Sequence, residues 1–327
     1  MAGAADGMGK REPRARTIDG MTDVIVVGGG VIGLTAAIRL QQRGAAVTVW
    51  TADEPEHTVS SIAAAVWYPT RTDGDPRVLR WATATYAEFR RQIEAGVPGT
   101  LLRPTRNLLR HRVTEPPWWA PAADSVELRD GTGPYAHELA FLAPAAEMGA
   151  YLRWLRGQVR HLERHTVRRL DEVPAPVVVN ATGLAAGELC GDPAVHPVRG
   201  HVVIAENPGL DESLRDEEDP AGVTYVHPRR TDVVLGGSFE VGRGDTDPDP
   251  AEAAAIVERC TRLVPRLAGA RILADRIGLR PARHGGPRVE REDSPDGRRI
   301  VHAYGHGGAG MTLSWGCADE VTRLALD

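Results

Sequence analysis

The segment from Asp23 to Trp50 constrains the fold of this chain more than any other stretch. It opens with the apolar, β-branched run "DVIVV", which is typical of a buried parallel strand. The glycine turn "GGGVIG" follows, and apolar residues then recur with helical spacing until Gly44 ends the helix. "AAVTVW" supplies a second strand. A strand, a glycine turn, a helix and a strand within about thirty residues predict a βαβ unit.

The glycine turn predicts a dinucleotide site. Gly28, Gly30 and Gly33 form the pattern G-x-G-x-x-G. The first glycine allows the tight turn, the second lets the backbone approach a pyrophosphate, and the third allows close contact between helix and strand. Because the helix N-terminus faces the phosphates, Val31 and Ile32 are candidate cofactor-binding residues as well. In its strand and helix context the pattern favours a ligand site over a purely structural turn.

Other segments indicate which dinucleotide binds. An NAD site usually carries an acidic residue at the end of the second strand, but the nearest acids here, Asp53 and Glu54, come slightly late. "NATG" at 180–183 ends another strand with small residues, and "YGHGGAGMT" at 304–312 places four glycines before the last helix. Amides at that helix terminus would stabilise the negative charge of a reduced flavin. The sequence therefore favours a flavin over a nicotinamide.

Composition excludes several other classes of protein. The chain has 327 residues and a net charge of -5, so no overall positive field favours nucleic acid. Its longest apolar runs are too short to span a membrane. Three widely spaced cysteines indicate isolated reduced thiols and a cytoplasmic location. His302 and His306 lie four residues apart, but no acidic or cysteine ligand follows them, so we predict no metal site.

The rest of the chain predicts an α/β fold with an antiparallel addition. We expect residues 1–20 to form a disordered extension, and a helix to cover 146–164. Residues 98–134 are rich in proline and tryptophan, which indicates either irregular structure or an inserted second domain. Alternating runs in residues 201–241 are typical of antiparallel strands. Nucleotide-type signals at both ends and in the middle predict a discontinuous cofactor domain.

Nine segments resemble the D-amino acid oxidases, a family of FAD enzymes, and occur in that family's order. They are "VVGGGVIGLTAAIRL", "AAAVWYP", "VVNATG", "PVRGH", "TYVHP", "LGGSF", "GLRPAR", "GPRVERE" and "HAYGHGGAGMTLSWG". The resemblance implies a Rossmann-like FAD-binding domain at 21–98, 140–200 and 268–327, and an antiparallel β-sheet substrate-binding domain at 99–139 and 201–267. It also implies oxidation of a D-amino acid, with molecular oxygen as acceptor, to a 2-oxo acid, ammonia and hydrogen peroxide. The sequence is compatible with a homodimer.

The stretch "GLRPAR" contains two arginines that strand geometry separates. The residue before a proline favours extended backbone, and side chains alternate along a strand. Arg280 and Arg283 should therefore point to opposite faces. From the residues alone, either a ligand role or a structural salt bridge is open for Arg280. The resemblance assigns it to the substrate α-carboxylate, together with the hydroxyl of Tyr225, and assigns the carbonyl of Gly308 to the substrate amine.

The resemblance also implies which residues contact FAD. Thr312 matches a residue near the pyrimidine edge of the flavin. The other expected contacts, beyond the first glycine turn, are Ser60, Ser61, Ala64, Ala65, Thr182, Gly183, Gly307, Gly308, Ala309, Gly310 and Met311.

The side chain of the substrate is less well defined. Relatives specific for D-aspartate carry an additional arginine, and Phe239 occupies one place where it occurs, so we expect neutral or apolar D-amino acids. Arg103, Arg106 and Arg110 could still supply such a cation. The charged segment 209–223 is either an active-site lid or a solvated loop. Three alternatives stay open, namely a glycine or sarcosine oxidase, an NAD-dependent dehydrogenase and a non-catalytic flavin-binding module.

Overall fold

The computed structural model describes residues 22–69, 72 and 75–327, so the prediction for residues 1–20 falls outside it. Within the described residues, the strands form one sheet of six and one of nine, here called the first and second sheets. The strands are β1 (Asp23–Val27), β2 (Ala46–Thr51), β3 (Thr100–Leu109), β4 (Val126–Asp130), β5 (His137–Ala146), β6 (His161–Arg164), β7 (Val177–Asn180), β8 (Val195–Glu206), β9 (Ser213–Asp216), β10 (Thr224–Pro228), β11 (Asp232–Gly236), β12 (Glu240–Val241), β13 (Ile272–Arg283), β14 (Arg288–Asp293) and β15 (Arg299–Tyr304). The α-helices are α1 (Val31–Gln42), α2 (Arg77–Glu94), α3 (Met148–Gln158), α4 (Ala186–Leu189), α5 (Pro250–Leu263) and α6 (Gly310–Leu326).

The first sheet confirms the predicted βαβ unit and the α/β fold class. Its order is β14-β15-β7-β1-β2-β6, and β1 pairs in parallel with both β2 and β7. Val27 at the end of β1 lies opposite Trp50 on one side and Asn180 on the other. The carboxyl ends of three neighbouring strands therefore meet at one edge, which is where ligands bind in open parallel sheets.

Helices α1, α2 and α6 pack together beside the first sheet. A Cβ at Gly316 of α6 would lie 2.4 Å from the backbone of Trp81 in α2, so only glycine allows this helix contact. The hydroxyl of Thr35 in α1 donates to the carbonyl of Ser314 in α6. The final strand, glycine loop and helix follow one another as predicted, because β15 runs into α6 through a short 3-10 turn at Gly307–Ala309.

The second sheet is built around the long strand β8. Strand β13 pairs along almost all of β8, while β11 and β12 pair with its opposite edge. Helix α5 covers this sheet, with Ile256 and Cys260 buried against Val203 and Leu235. The helix begins at Pro250 with a side-chain cap, since the carboxylate of Asp249 accepts a hydrogen bond from the third helical amide.

The structure differs from the predicted secondary structure in two segments. The helix predicted over 146–164 is wrong in its second half, because α3 ends at Gln158 and Leu162 lies in β6, which pairs in parallel with β2. Residues 98–134 contribute β3 and β4 to the second sheet rather than irregular structure. The domain boundaries stay a prediction, although β5 runs across residue 140, β8 across residue 200, and β13 lies beyond 268 in the second sheet. Among the described residues, no helix combines the length and apolarity needed to cross a bilayer.

Candidate active site

A cleft of about 1450 Å³, counting its space open to solvent, lies between the carboxyl edge of the first sheet and the second sheet. Both glycine-rich loops and the end of β7 contribute to its wall. The structure brings together most of the residues predicted from sequence. Those that line the cleft are Val31, Ile32, Ser60, Ala64, Ala65, Gly183, Tyr225, Arg280, Gly307, Gly308, Gly310, Met311 and Thr312.

The other predicted residues lie just behind this wall. The hydroxyl of Ser61 donates to the carbonyl of Thr58, and that of Thr182 donates to the side chain of Asn180. Ala309 is buried. Gly28, Gly30 and Gly33 form the first turn, whose helix reaches the cleft through Val31 and Ile32.

The three glycines of the first turn are required by close packing and by space. Gly28 has a φ of 123°, and a Cβ there would lie 2.2 Å from the carbonyl oxygen of Ala181. A Cβ at Gly33 would lie 1.9 Å from the oxygen of Gly28. At Gly30 a Cβ would meet only the hydroxyl of Ser60, at 3.2 Å. The first and third glycines therefore close the turn against backbone, while at the second only the Ser60 hydroxyl limits the space.

Two helices begin beside the cleft without a negative side chain. Neither α1 nor α6 has an acidic residue in its first turn, and neither has a side-chain cap at its N-cap residue. The amide of Val31 is satisfied by the hydroxyl of Ser60, 3.1 Å away. Uncompensated helix N-termini favour anions. With a glycine rather than a side chain at position 30, this arrangement fits FAD, whose pyrophosphate and reduced ring both carry negative charge.

Arg280 projects into the cleft without a carboxylate partner. Its guanidinium donates to the carbonyl of Ser238 at 3.2 Å and lies 5.5 Å from the ring of Phe239. Among the described residues, no acidic side chain lies within 4.0 Å of it. A Cβ at Gly200 would lie 2.1 Å from the guanidinium, so this glycine makes room for it. Most of its five N–H donors remain available to an anionic ligand.

Arg283 points elsewhere, as the alternation along β13 predicts. Its Nε donates to Asp192 at 2.8 Å, and it also bonds to the carbonyls of His284 and Gly286. This ion pair is the main reason that the pKa of Asp192 lies below its ordinary value. Arg283 does not line the cleft.

Tyr225 and Gly308 lie on the same cleft as Arg280. The ring of Tyr225 covers two glycines of the neighbouring strand, because a Cβ at Gly236 would lie 2.0 Å from the ring and one at Gly237 2.8 Å from its hydroxyl oxygen. A Cβ at Gly308 would lie 3.5 Å from the Cδ of Arg280. The three residues that the resemblance assigns to the substrate's carboxylate and amine thus line the same cleft.

Sequence reasoning missed a second arginine in the cleft. The Cζ of Arg215 lies 4.5 Å from the ring centre of Tyr68 and 5.5 Å from that of Tyr225. Its Nη1 lies 3.3 Å from Nε2 of His227, and its Nη2 pairs with the carboxylate of Glu217. All five side chains line the cleft. Arg215 and Glu217 lie in the charged segment 209–223, which has no periodic pattern from which their place in the cleft could be predicted.

His227 is buried and neutral. Burial, with a smaller contribution from the charge of Arg215, lowers its pKa well below the ordinary value. The neutral ring can therefore accept a hydrogen bond from Arg215 through Nε2. The ring also stacks on Tyr225, with the ring centres 4.8 Å apart.

The three arginines proposed as additional cations are held by other partners. Arg103 donates to the carbonyl of Pro228. Arg106 pairs with Glu138 and Glu212, and Arg110 pairs with Asp216. None of the three lines the cleft.

The segment 209–223 is anchored rather than a free loop. It contains β9, which pairs with β10 on one side and β3 on the other. Asp216 is buried there and accepts hydrogen bonds from Arg110 and from the hydroxyl of Tyr135. Residues 213–216 of this segment are thus an ordered strand that carries Arg215 to the cleft, and a lid or a solvated loop stays open for the rest of the segment.

His302 and His306 have different partners. Nε2 of His302 lies 3.1 Å from Glu292, whereas Nε2 of His306 lies 3.3 Å from Sγ of Cys317. Burial lowers the pKa of His306 to about 4. In the part of the chain that the structure describes, no group of three or more histidine, cysteine and acidic side chains is arranged to hold a metal.

Comparison with known proteins agrees with this geometry. Residues 23–324 match the family described as FAD dependent oxidoreductase. The chain is 48% identical to a D-amino-acid oxidase of Rubrobacter xylanophilus, covering 92% of this chain and 95% of that protein. It is 44% identical to a D-amino-acid oxidase of Streptomyces coelicolor, covering 93% and 96%. A glycine oxidase structure from Bacillus cereus superposes with a TM-score of 0.75 at 18% identity, covering 93% of this chain and 94% of that one, which supports the fold.

Proposed function

The chain belongs to the FAD dependent oxidoreductase family that includes the D-amino-acid oxidases, and from this premise we propose that it oxidises D-amino acids with neutral side chains. The products would be a 2-oxo acid, ammonia and hydrogen peroxide, with oxygen and water consumed. The observation that supports this most directly is Arg280, a cleft arginine without a carboxylate partner among the described residues. A cation left in this state suits the α-carboxylate that every amino acid carries.

FAD is the cofactor, and it supplies the acceptor for the hydride equivalent that leaves the substrate Cα. The first glycine turn would hold its pyrophosphate at the N-terminus of α1. The loop at 304–312 and the start of α6 would stabilise negative charge on the reduced ring. Thr312 supports this loop by accepting a hydrogen bond from the amide of Tyr68 at 3.2 Å.

The chain's own residues would bind and orient the substrate. Arg280 would grip the α-carboxylate in a bidentate fashion, and the hydroxyl of Tyr225 would donate to the same group. The carbonyl of Gly308 would accept from the amine. Since His227 and His306 are both buried and neutral, neither serves as a charged partner. Catalysis would then depend on positioning and electrostatics rather than on a side-chain base.

Two features of the cleft favour neutral side chains. The aromatic ring of Phe239 lies beside Arg280. Arg215, which could otherwise attract a second carboxylate, is paired with Glu217.

The three cysteines are free thiols, which is typical of reducing compartments, so we propose a cytoplasmic location. A homodimer stays a prediction.

A peroxide assay across D- and L-amino acids, glycine and sarcosine tests the proposal on protein of measured FAD content. We expect D-methionine to be oxidised and L-methionine to give no peroxide. Faster turnover of glycine or sarcosine than of D-methionine would favour the amine-oxidase alternative. A flavin-free protein that reduces NAD would contradict the proposal, and FAD-loaded protein inactive on every substrate would indicate a binding module.

A further inference from the structure

Strand β9 and the turn that follows it present two opposite charges to the cleft. Arg215 lies in the strand, with Leu214 and Asp216 on the strand's opposite face, and Glu217 is the first residue of the turn. Arg215 and Glu217 line the cleft, and Leu214 packs against the core beneath α5. Asp216 is buried and fixed by Arg110. This anchoring holds the Arg215–Glu217 pair at a defined place in the cleft.

The guanidinium of Arg215 is preorganised for binding an anion. It lies between the rings of Tyr68 and Tyr225, and neutral His227 accepts from its Nη1. Its Nε is buried and has no hydrogen-bond partner among the described residues. A guanidinium carries five N–H donors, so several remain after these contacts. Without an acidic neighbour, this group would attract a carboxylate on the substrate's side chain.

Glu217 removes that attraction. Its carboxylate already binds Nη2 of Arg215 and neutralises one positive charge in the cleft. A second carboxylate arriving there would compete for the same guanidinium and would be repelled by the first at short range. A neutral side chain meets neither penalty. The pair should therefore admit neutral side chains and reject acidic ones.

We propose that Glu217 is a specificity-determining residue that excludes acidic D-amino acids by masking Arg215. The proposal rests on the proposed function of this cleft. It predicts that the cation needed for an acidic substrate is already in place, and that a single carboxylate keeps it from acting. Removing that one charge should admit acidic side chains without adding any new cation.

The test compares D-glutamate with D-glutamine, which has nearly the same shape without the charge. In the wild-type holoenzyme we expect kcat/KM for D-glutamate to be at most about one tenth of that for D-glutamine. Glu217→Gln should raise the ratio of these two values by about 10- to 100-fold, the worth of a hydrogen bond to a charged group. Glu212→Gln is the matched control, because it removes an equal charge that pairs with Arg106 outside the cleft. Its ratio should stay at the wild-type value.

A second substitution ties the gain to Arg215. Adding Arg215→Gln to Glu217→Gln should return the ratio to the wild-type value or below. A binding measurement independent of turnover uses the visible flavin absorption to titrate succinate against butyrate. Glu217→Gln should strengthen succinate relative to butyrate by a similar factor.

The outcomes separate this inference from the proposed function. A wild-type protein that oxidises D-methionine, but whose Glu217→Gln and Glu212→Gln variants show equal D-glutamate to D-glutamine ratios, would overturn the role of Glu217. So would wild-type turnover of D-glutamate as fast as that of D-glutamine. Absence of peroxide with every D-amino acid would instead contradict the proposed function, and the succinate titration would then decide the masking role alone.

Discussion

Replacing Gly200 by alanine should displace the guanidinium of Arg280 while leaving the fold intact. The new Cβ would lie 2.1 Å from Nη1 and 2.3 Å from Cζ, whereas ordinary contact begins at 3.4 Å. The guanidinium must therefore move by at least about 1 Å, which is a displacement that can cost about 100-fold in rate. The backbone of Gly200 is not in the left-handed region, so alanine fits its strand without strain.

The expected result is a fall in kcat/KM for D-methionine of about 100-fold, or about 3 kcal/mol of transition-state stabilisation. FAD content, measured from visible absorption, should match the wild-type protein, because no predicted cofactor contact is altered. The free energy of unfolding should not fall, since glycine to alanine at a compatible site stabilises a protein by about 0.4–1 kcal/mol. The clash is confined to the mobile end of one side chain, so the cost falls on substrate binding.

A double variant shows whether the effect acts through Arg280. In an Arg280→Met background there is no guanidinium to displace, so adding Gly200→Ala should change kcat/KM by less than about threefold. Two losses that multiply would show that Gly200→Ala does not act through Arg280. Wild-type kcat/KM in the single Gly200→Ala variant would show that the guanidinium is not displaced.

Two further predictions concern stability. Arg283→Met should lower the free energy of unfolding by about 1–3 kcal/mol, because it leaves the carboxylate of Asp192 without its ion pair. KM for D-methionine should change little. Urea unfolding and steady-state kinetics check these two expectations, and a large rise in KM would contradict the second. Burial lowers the pKa of His306 from 6.5 to about 4, so the histidine is protonated more readily in the unfolded chain than in the folded one. The contribution of His306 to the free energy of unfolding should therefore be fully present above pH 6.5 and fall by on the order of 3 kcal/mol as the pH drops to 4. His306→Asn should remove that part of the pH dependence, measured as the difference between urea unfolding curves at the two pH values.

The sequence predicts the nucleotide-binding half of the fold well because its signals are local. The run 23–27, the glycine turn and α1 each follow from the chemistry of a few neighbouring residues, and the structure contains all three. Helix α3 shows the limit of such reasoning. Leu162 continues the apolar spacing of the helix, but β2 offers an open parallel edge, and pairing in the sheet ends the helix four residues earlier.

In the candidate site, too, some residues could be predicted from local sequence and others could not. The sequence predicts that Arg280 and Arg283 point to opposite faces of a strand. The proline between them favours extended backbone, and side chains alternate along such a strand. Arg215 could not be located, because "ESLRDEED" is too charged to suggest a strand in the middle of a sheet. Its charges are tolerated only because distant residues satisfy them, as Arg110 and Tyr135 do for Asp216. Such long-range pairs leave no periodic pattern in the chain.

Ion pairing separates Arg280 from three other arginines that are buried or line the cleft, in the second sheet or in helix α5 above it. Arg199 is fully buried and has Glu240 as its partner, and Arg259 is nearly buried and has Glu252. Arg215 lines the cleft and has Glu217. Arg280 faces the same cleft and has no carboxylate within 4.0 Å among the described residues. Arg280 is half-buried, and its free N–H donors face the cleft, so a ligand should supply its missing partner; the α-carboxylate of an amino acid is an anion of the right charge and shape.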